Sequence, residues 1–81
     1  MTEELIVIGD NYDVKELVDL SDKCDFAVDL IFGNVDVSAK SLLRVLGIDR
    51  THPWLISYEG YNDPLKKFVN EHAFVNYMNW I

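Results

Sequence analysis

Residues 34–48, NVDVSAKSLLRVLGI, decide the fold, because the chain passes within them from a β-strand into a helix. Val35 and Val37 alternate with Asp36 and Ser38, the period of two that marks a strand with one buried face. Ser38 or Ser41 then stands where a helix needs an N-cap, and Gly47 stands where it would stop. On a helical wheel Leu42, Val45 and Leu46 share a stripe, while Leu43 lies about a quarter turn off it. A helix this short carries more apolar surface than one face buries, so at least one leucine is expected to meet solvent.

Upstream, Phe26, Val28, Leu30 and Phe32 alternate with Ala27, Asp29 and Ile31, giving a half-buried strand over 26–32. Gly33-Asn34 forms a two-residue turn able to take positive φ, and joins this strand to 35–38 as a β-hairpin. At the start, ELIVIG (residues 4–9) is a short apolar run rich in β-branched residues, which predicts a buried first strand. Asp13 is then expected to cap a helix, with Glu16 in capping-box position and Tyr12 and Leu17 as a hydrophobic staple. Val14, Leu17, Val18 and Ser21 face inward over about three turns, and the pattern ends near Lys23 and Cys24.

Downstream, residues 49–53 form a loop and WLISY (54–58) a fourth strand. Asn62 or Asp63 caps a last helix with Pro64 in its first turn; this helix buries Leu65, Phe68 and Val69, with His72 at the edge of the stripe. Beyond Ala73 the phase changes. Phe74, Tyr77, Met78 and Ile81 cluster about half a turn from the first stripe, which one helix against one sheet does not bury. Either the chain bends near Ala73 and wraps the body, or these four residues pack on a second copy as a homodimer interface.

The element order is thus β-α-β-β-α-β-α in a single α+β domain over residues 1–81, with alternating strands that imply one antiparallel sheet covered by helices on one face. Periodicity leaves the strand order open. A ferredoxin-like arrangement, suited to a ligand-sensing or structural module, shares the first six elements.

Composition narrows the function. Fourteen acidic against seven basic residues give a net charge of −7, which repels phosphate backbones and anionic membranes, so neither nucleic acid nor membrane is an expected partner. The acids are scattered between apolar residues and do not form the blocks of a nucleic-acid mimic. One cysteine, no charged-apolar-small leader and no long apolar run predict a soluble cytoplasmic protein. Cys24 has no base or cation cluster to activate it and is expected to be an inert buried thiol. His52, His72, Cys24 and the acids show no metal-ligand spacing, and no phosphate-cradling glycine loop is present, so no metal or cofactor is expected. His52-Pro53 is loop punctuation on this view.

The segment SDKCDFAVDLIFGNVDVSAKSLLRVLGI (residues 21–48) resembles the middle of the histidine-containing phosphocarrier protein (HPr) of the bacterial phosphoenolpyruvate sugar phosphotransferase system. Lys23, Asp25, Val28, Leu30, Gly33, Val37, Lys40, Ser41, Val45, Gly47 and Ile48 carry the resemblance. It implies an open-faced sandwich, a four-stranded antiparallel sheet in the order 1-4-2-3 with three helices on one side. It also implies a regulatory phosphorylation site at Ser41 and a protein-binding surface on the second helix, for which Leu42, Leu43 and Leu46 are the candidates. The departures bear on chemistry. The family carries its phosphoryl group on a histidine at the start of the first helix, and here that region is GDNYDVK (9–15), with Asp10 and Asp13 and no histidine. Carboxylates there repel an incoming anion, so a partner-binding protein without phosphocarrier or enzymatic activity is expected; Asp13 standing in for the phosphorylated state is the sharper reading of that carboxylate beside a plain N-cap, and a transferase component with Asp13 as acyl-phosphate acceptor is an alternative function.

Overall fold

The computed structural model describes residues 1–74. Its elements are β1 Thr2–Ile6, α1 Asn11–Asp22, β2 Val28–Phe32, β3 Val35–Ser38, α2 Leu42–Leu46, β4 Trp54–Tyr58 and α3 Asp63–His72. The four strands form one antiparallel sheet in the order β1-β4-β2-β3, with the three helices packed on one face. β1 is an edge strand beside β4 and does not lie between β3 and β4, which rules out the ferredoxin-like arrangement. No helix among the described residues is long and apolar enough to cross a membrane.

The register explains the core. Glu4, Ile56, Leu30 and Val37 stand opposite one another across the sheet, and so do Ile6 and Trp54 one step along. Because side chains alternate, these rows point together under the helices, where Ile6, Leu30, Val37, Trp54 and Ile56 meet Val14, Leu17, Val45, Leu65, Phe68 and Val69. Ser21 also turns into this layer, and its hydroxyl has no hydrogen-bond partner among the described residues.

Three element bounds differ from the sequence expectation. β1 runs over 2–6 in place of 4–9 and alternates, because the helices cover only one face of the sheet: Glu3 and Leu5 point to the open face. β2 begins at Val28, and its last residue, Phe32, is half-exposed because it projects past the helices' cover. α1 begins at Asn11, a turn's fraction earlier than a cap at Asp13 requires. The hairpin is as expected in length, with Phe32 paired to Val35, but only Gly33 takes a positive φ, at +60°. Gly60, at φ +155°, is the second special glycine: a side chain there would run into the Phe26 ring, which stacks on Tyr58 at 5.7 Å.

α3 ends at His72, where the sequence pattern changes phase. Ala73 is extended (φ −56°, ψ 133°) and bridges to Ile6, Val7 N–H donates to the His72 carbonyl at 2.8 Å, and Phe74 N–H donates to the Leu5 carbonyl at 2.8 Å. The chain therefore turns back along the outer edge of β1. Tyr77, Met78 and Ile81 of the expected homodimer patch lie outside the described residues.

Candidate functional site

Two helix starts carry the residues singled out by sequence. At α1 the N-cap is Asp10, not Asp13: Asp10 is extended (φ −104°, ψ −177°) and its carboxylate accepts from Asp13 N–H at 3.0 Å. Asp13 sits one turn inside and reaches back, its Oδ2 accepting from Gly9 N–H at 3.0 Å. The two acids thus make a variant of the capping box three residues earlier than Asp13 with Glu16, in which the returning carboxylate takes the N–H of Gly9, the residue before the cap. The expected staple is absent as well, since Tyr12 stands in solvent while Leu17 is fully buried.

The other Asp13 oxygen faces His72 Nε2 at 3.3 Å, and His72 Nδ1 lies 2.9 Å from the Phe68 carbonyl. The ring stacks on Phe68 at 3.9 Å. Burial alone would raise the Asp13 carboxyl's pKa, but the bonds from Gly9 N–H and His72 outweigh it and hold the group below the usual carboxylate range. A histidine therefore does reach the start of the first helix, delivered from α3 through tertiary packing. Both ring nitrogens lie against oxygens of the protein itself, the Asp13 carboxylate and the Phe68 carbonyl. Arg50 adds one more tie, donating to the Asn11 side chain at 2.9 Å. The α1 start is thus tied to Gly9, Arg50 and His72 by the protein's own side chains.

At α2 the choice between two serines is settled in favour of Ser41, which is extended and accepts from Arg44 N–H at 3.4 Å. Ser38 instead closes the preceding turn, accepting from Lys40 N–H at 3.2 Å, while Lys40 Nζ donates to the Cys24 carbonyl at 2.8 Å. Gly47 is the C-cap. Val45 alone of this helix is fully buried; Leu46 is half-buried against the core, Leu42 is 40% exposed and Leu43 82% exposed. Leu43 stands at the rim of an open cleft of about 500 Å³ lined also by Phe32, Val35, Val37, Ile48 and Trp54. His52 completes its wall, stacked on Phe32 at 3.8 Å and on Trp54 at 5.4 Å, and Arg44 and Asp49 give it a charged margin. His52 is thus part of an aromatic wall and more than loop punctuation; nothing local in the sequence signals this, because Phe32 comes from the far end of β2.

Cys24 is buried, donates to the Leu20 carbonyl at 3.4 Å and has its thiol pKa pushed up, chiefly by burial, with the nearby Lys40 charge only partly offsetting this. Such a thiol is a core residue and not a nucleophile. Among the described residues no three His, Cys, Asp or Glu side chains converge to hold a metal ion. Comparison with known proteins returned no significant match to a family model, to a curated protein or to a solved structure.

Proposed function

We propose that this chain is an HPr-like cytoplasmic protein, related to the bacterial sugar phosphotransferase system, that does not relay phosphate and acts by binding a protein partner through α2, with Ser41 as its switch. The observation that carries this reading is Leu43. A leucine 82% exposed beside an apolar cleft is surface left for a partner to bury, and Leu42 extends it next to Ser41. Burial of one such side chain contributes roughly 1.5–3 kcal/mol to an interface. A phosphate on Ser41 would sit at the first turn of α2, where backbone N–H groups favour an anion, and would change the charge at the rim of that surface. The α1 start supports the other half: carboxylates already fill it, and they repel a phosphoryl donor.

The test uses two donors on the full chain. Labelled phosphoenolpyruvate with enzyme I is expected to leave the protein unlabelled, whereas ATP with the HPr serine kinase is expected to label Ser41, and Ser41→Ala to abolish that label. Label arriving through enzyme I, whether on a histidine or as a hydroxylamine-sensitive acyl phosphate on Asp13, overturns the non-carrier reading. Absence of kinase label removes the switch.

A further inference from the structure

The two edges of the sheet are finished differently. Along β1 the chain supplies its own cover, since Val7 N–H donates to the His72 carbonyl and Phe74 N–H to the Leu5 carbonyl, both at 2.8 Å. β3, at the opposite edge, has no such neighbour among the described residues. Its pairing with β2 fixes which backbone groups point out. In a two-residue hairpin the residues flanking the turn bond to each other, here Phe32 and Val35, and every second pair repeats this. Leu30 with Val37 is the next such pair, and then Val28 with Ala39, whose N–H donates to the Val28 carbonyl at 2.8 Å. Asp36, standing between two of these pairs, directs both its N–H and its carbonyl away from the sheet. Ser38 directs its N–H the same way, while its carbonyl accepts from Ser41 N–H at 3.2 Å.

The side chains of this edge are sorted by face. Val35 and Val37 turn to the helix side and line the cleft of about 500 Å³, whose other wall is α2 and its end, with Leu43, Arg44 and Gly47. Edge strand and helix thus bound one trough. Asp36 turns to the open face of the sheet, where it ends a row that is otherwise apolar, Leu5, Leu55 and Ile31, beside a polar row of Glu3, Ser57, Asp29 and Ser38. Asp29 stands diagonal to Asp36, and its carboxyl is held above the usual carboxylate range, first by burial and then by the Asp36 charge. Among the described residues no cation pairs with either acid.

We propose that β3 is a strand-addition edge, on which an extended segment of the protein partner pairs through the Asp36 backbone. The segment sets a lysine or arginine opposite Asp36 on the open face and turns the apolar residue on either side of that cation into the cleft beside Leu43. This rests on the reading that a partner covers α2, and adds how the partner is held. Alternation requires the pattern, because the neighbours of a residue on the open face point to the helix side. Charge requires the cation: a basic side chain meets Asp36 directly and Asp29 across the diagonal in a protein of net charge −7, whereas Arg44 at the cleft margin keeps basic residues off the apolar side. A second copy fits poorly. Antiparallel pairing of two β3 edges about Asp36 sets carboxylate against carboxylate, so Val-Asp-Val at 35–37 excludes itself and admits an apolar-basic-apolar partner.

The test is a titration of the isotope-labelled full-length protein, followed by its amide and methyl signals, with two capped heptapeptides, one alternating valine and lysine and the other valine and aspartate. Expected with the lysine peptide alone are shifts of the Asp36 and Ser38 amides and of the Val35, Val37 and Leu43 methyl groups. Asp36→Lys is expected to weaken that peptide about tenfold and to admit the aspartate peptide. Glu16→Lys, the same change of charge on the exposed side of α1, should alter neither by more than about twofold; an effect equal to that of Asp36→Lys would reduce the binding to general attraction and overturn the inference. Shifts at Leu43 without any at Asp36 and Ser38 overturn strand addition and leave the α2 surface standing. No shift at either place at millimolar peptide overturns it as well, and the unfolding cost of Leu43→Ala, which does not involve the peptide, then judges the α2 reading separately. A concentration-dependent shift of the Asp36 amide in the protein alone would make a second copy the occupant and also overturn the inference.

Discussion

The starts of α1 and α2 are both capped by a polar side chain that accepts from the N–H three residues on, yet they end in opposite states. At α1 two carboxylates, Gly9 N–H and a histidine from α3 bond to one another within the molecule, and Val14, the residue after Asp13, is fully buried. At α2 a single hydroxyl caps five residues through a long 3.4 Å bond, and two leucines beside it face out. Satisfied polar groups leave a partner nothing to improve, while exposed apolar surface gains by being covered. The contrast teaches that the start of α1 is bonded to the protein's own groups, whereas α2 leaves apolar surface open to solvent.

The largest effect that would break the contrast lies within α2 itself. Val45→Ala, which hollows the one fully buried position of that helix, is expected to cost about 2 kcal/mol in urea unfolding. Next, Asp10→Ala removes the α1 cap and is expected to cost about 1 kcal/mol. A loss no greater than surface noise would show the α1 start to be less tightly built than its geometry implies.

Asp13 sharpens the comparison through pH. Its pKa is depressed below 3.8 in the folded state, so its contribution to stability is fully present above the unfolded value and is lost as pH falls through the lower folded one. Unfolding midpoints between pH 2 and 6 should therefore drop on the acid side, and Asp13→Asn should flatten that drop. At α2, Ser41→Ala is expected to cost only about 0.5 kcal/mol, because its bond is long and its helix short. Smallest of all, Leu43→Ala should change stability by less than about 0.5 kcal/mol. A Leu43→Ala cost near that of Val45→Ala would mean that the leucine is structural and would remove the observation on which the proposed partner surface rests.

Much of this was legible along the chain. WLISY is β4 residue for residue, the Gly33-Asn34 hairpin falls where its turn chemistry puts it, and the surplus of apolar residues on α2 foretold an exposed leucine. The α1 cap was not. DNYDVKE (10–16) holds two overlapping boxes, Asp10 with Asp13 and Asp13 with Glu16, and local propensity favours neither decisively. The choice fell to Asp10 because Asp13 is held from outside the helix by His72, 59 positions away in the chain. The cleft wall had the same defect of locality, since Phe32 ends β2 while His52 and Trp54 lie together at the start of β4, and the two stretches meet only when β2 and β4 pair.

The sequence by itself determined the periods, and with them the number, type and order of the elements, because alternation and helical stripes are properties of neighbouring residues. Tertiary structure alone decided the strand order, the register that splits the open face into polar and apolar halves, the histidine at the start of α1 and the turn of Ala73 and Phe74 along β1. Each of these depends on which distant groups satisfy one another's hydrogen bonds and apolar surface, and no local pattern encodes that pairing.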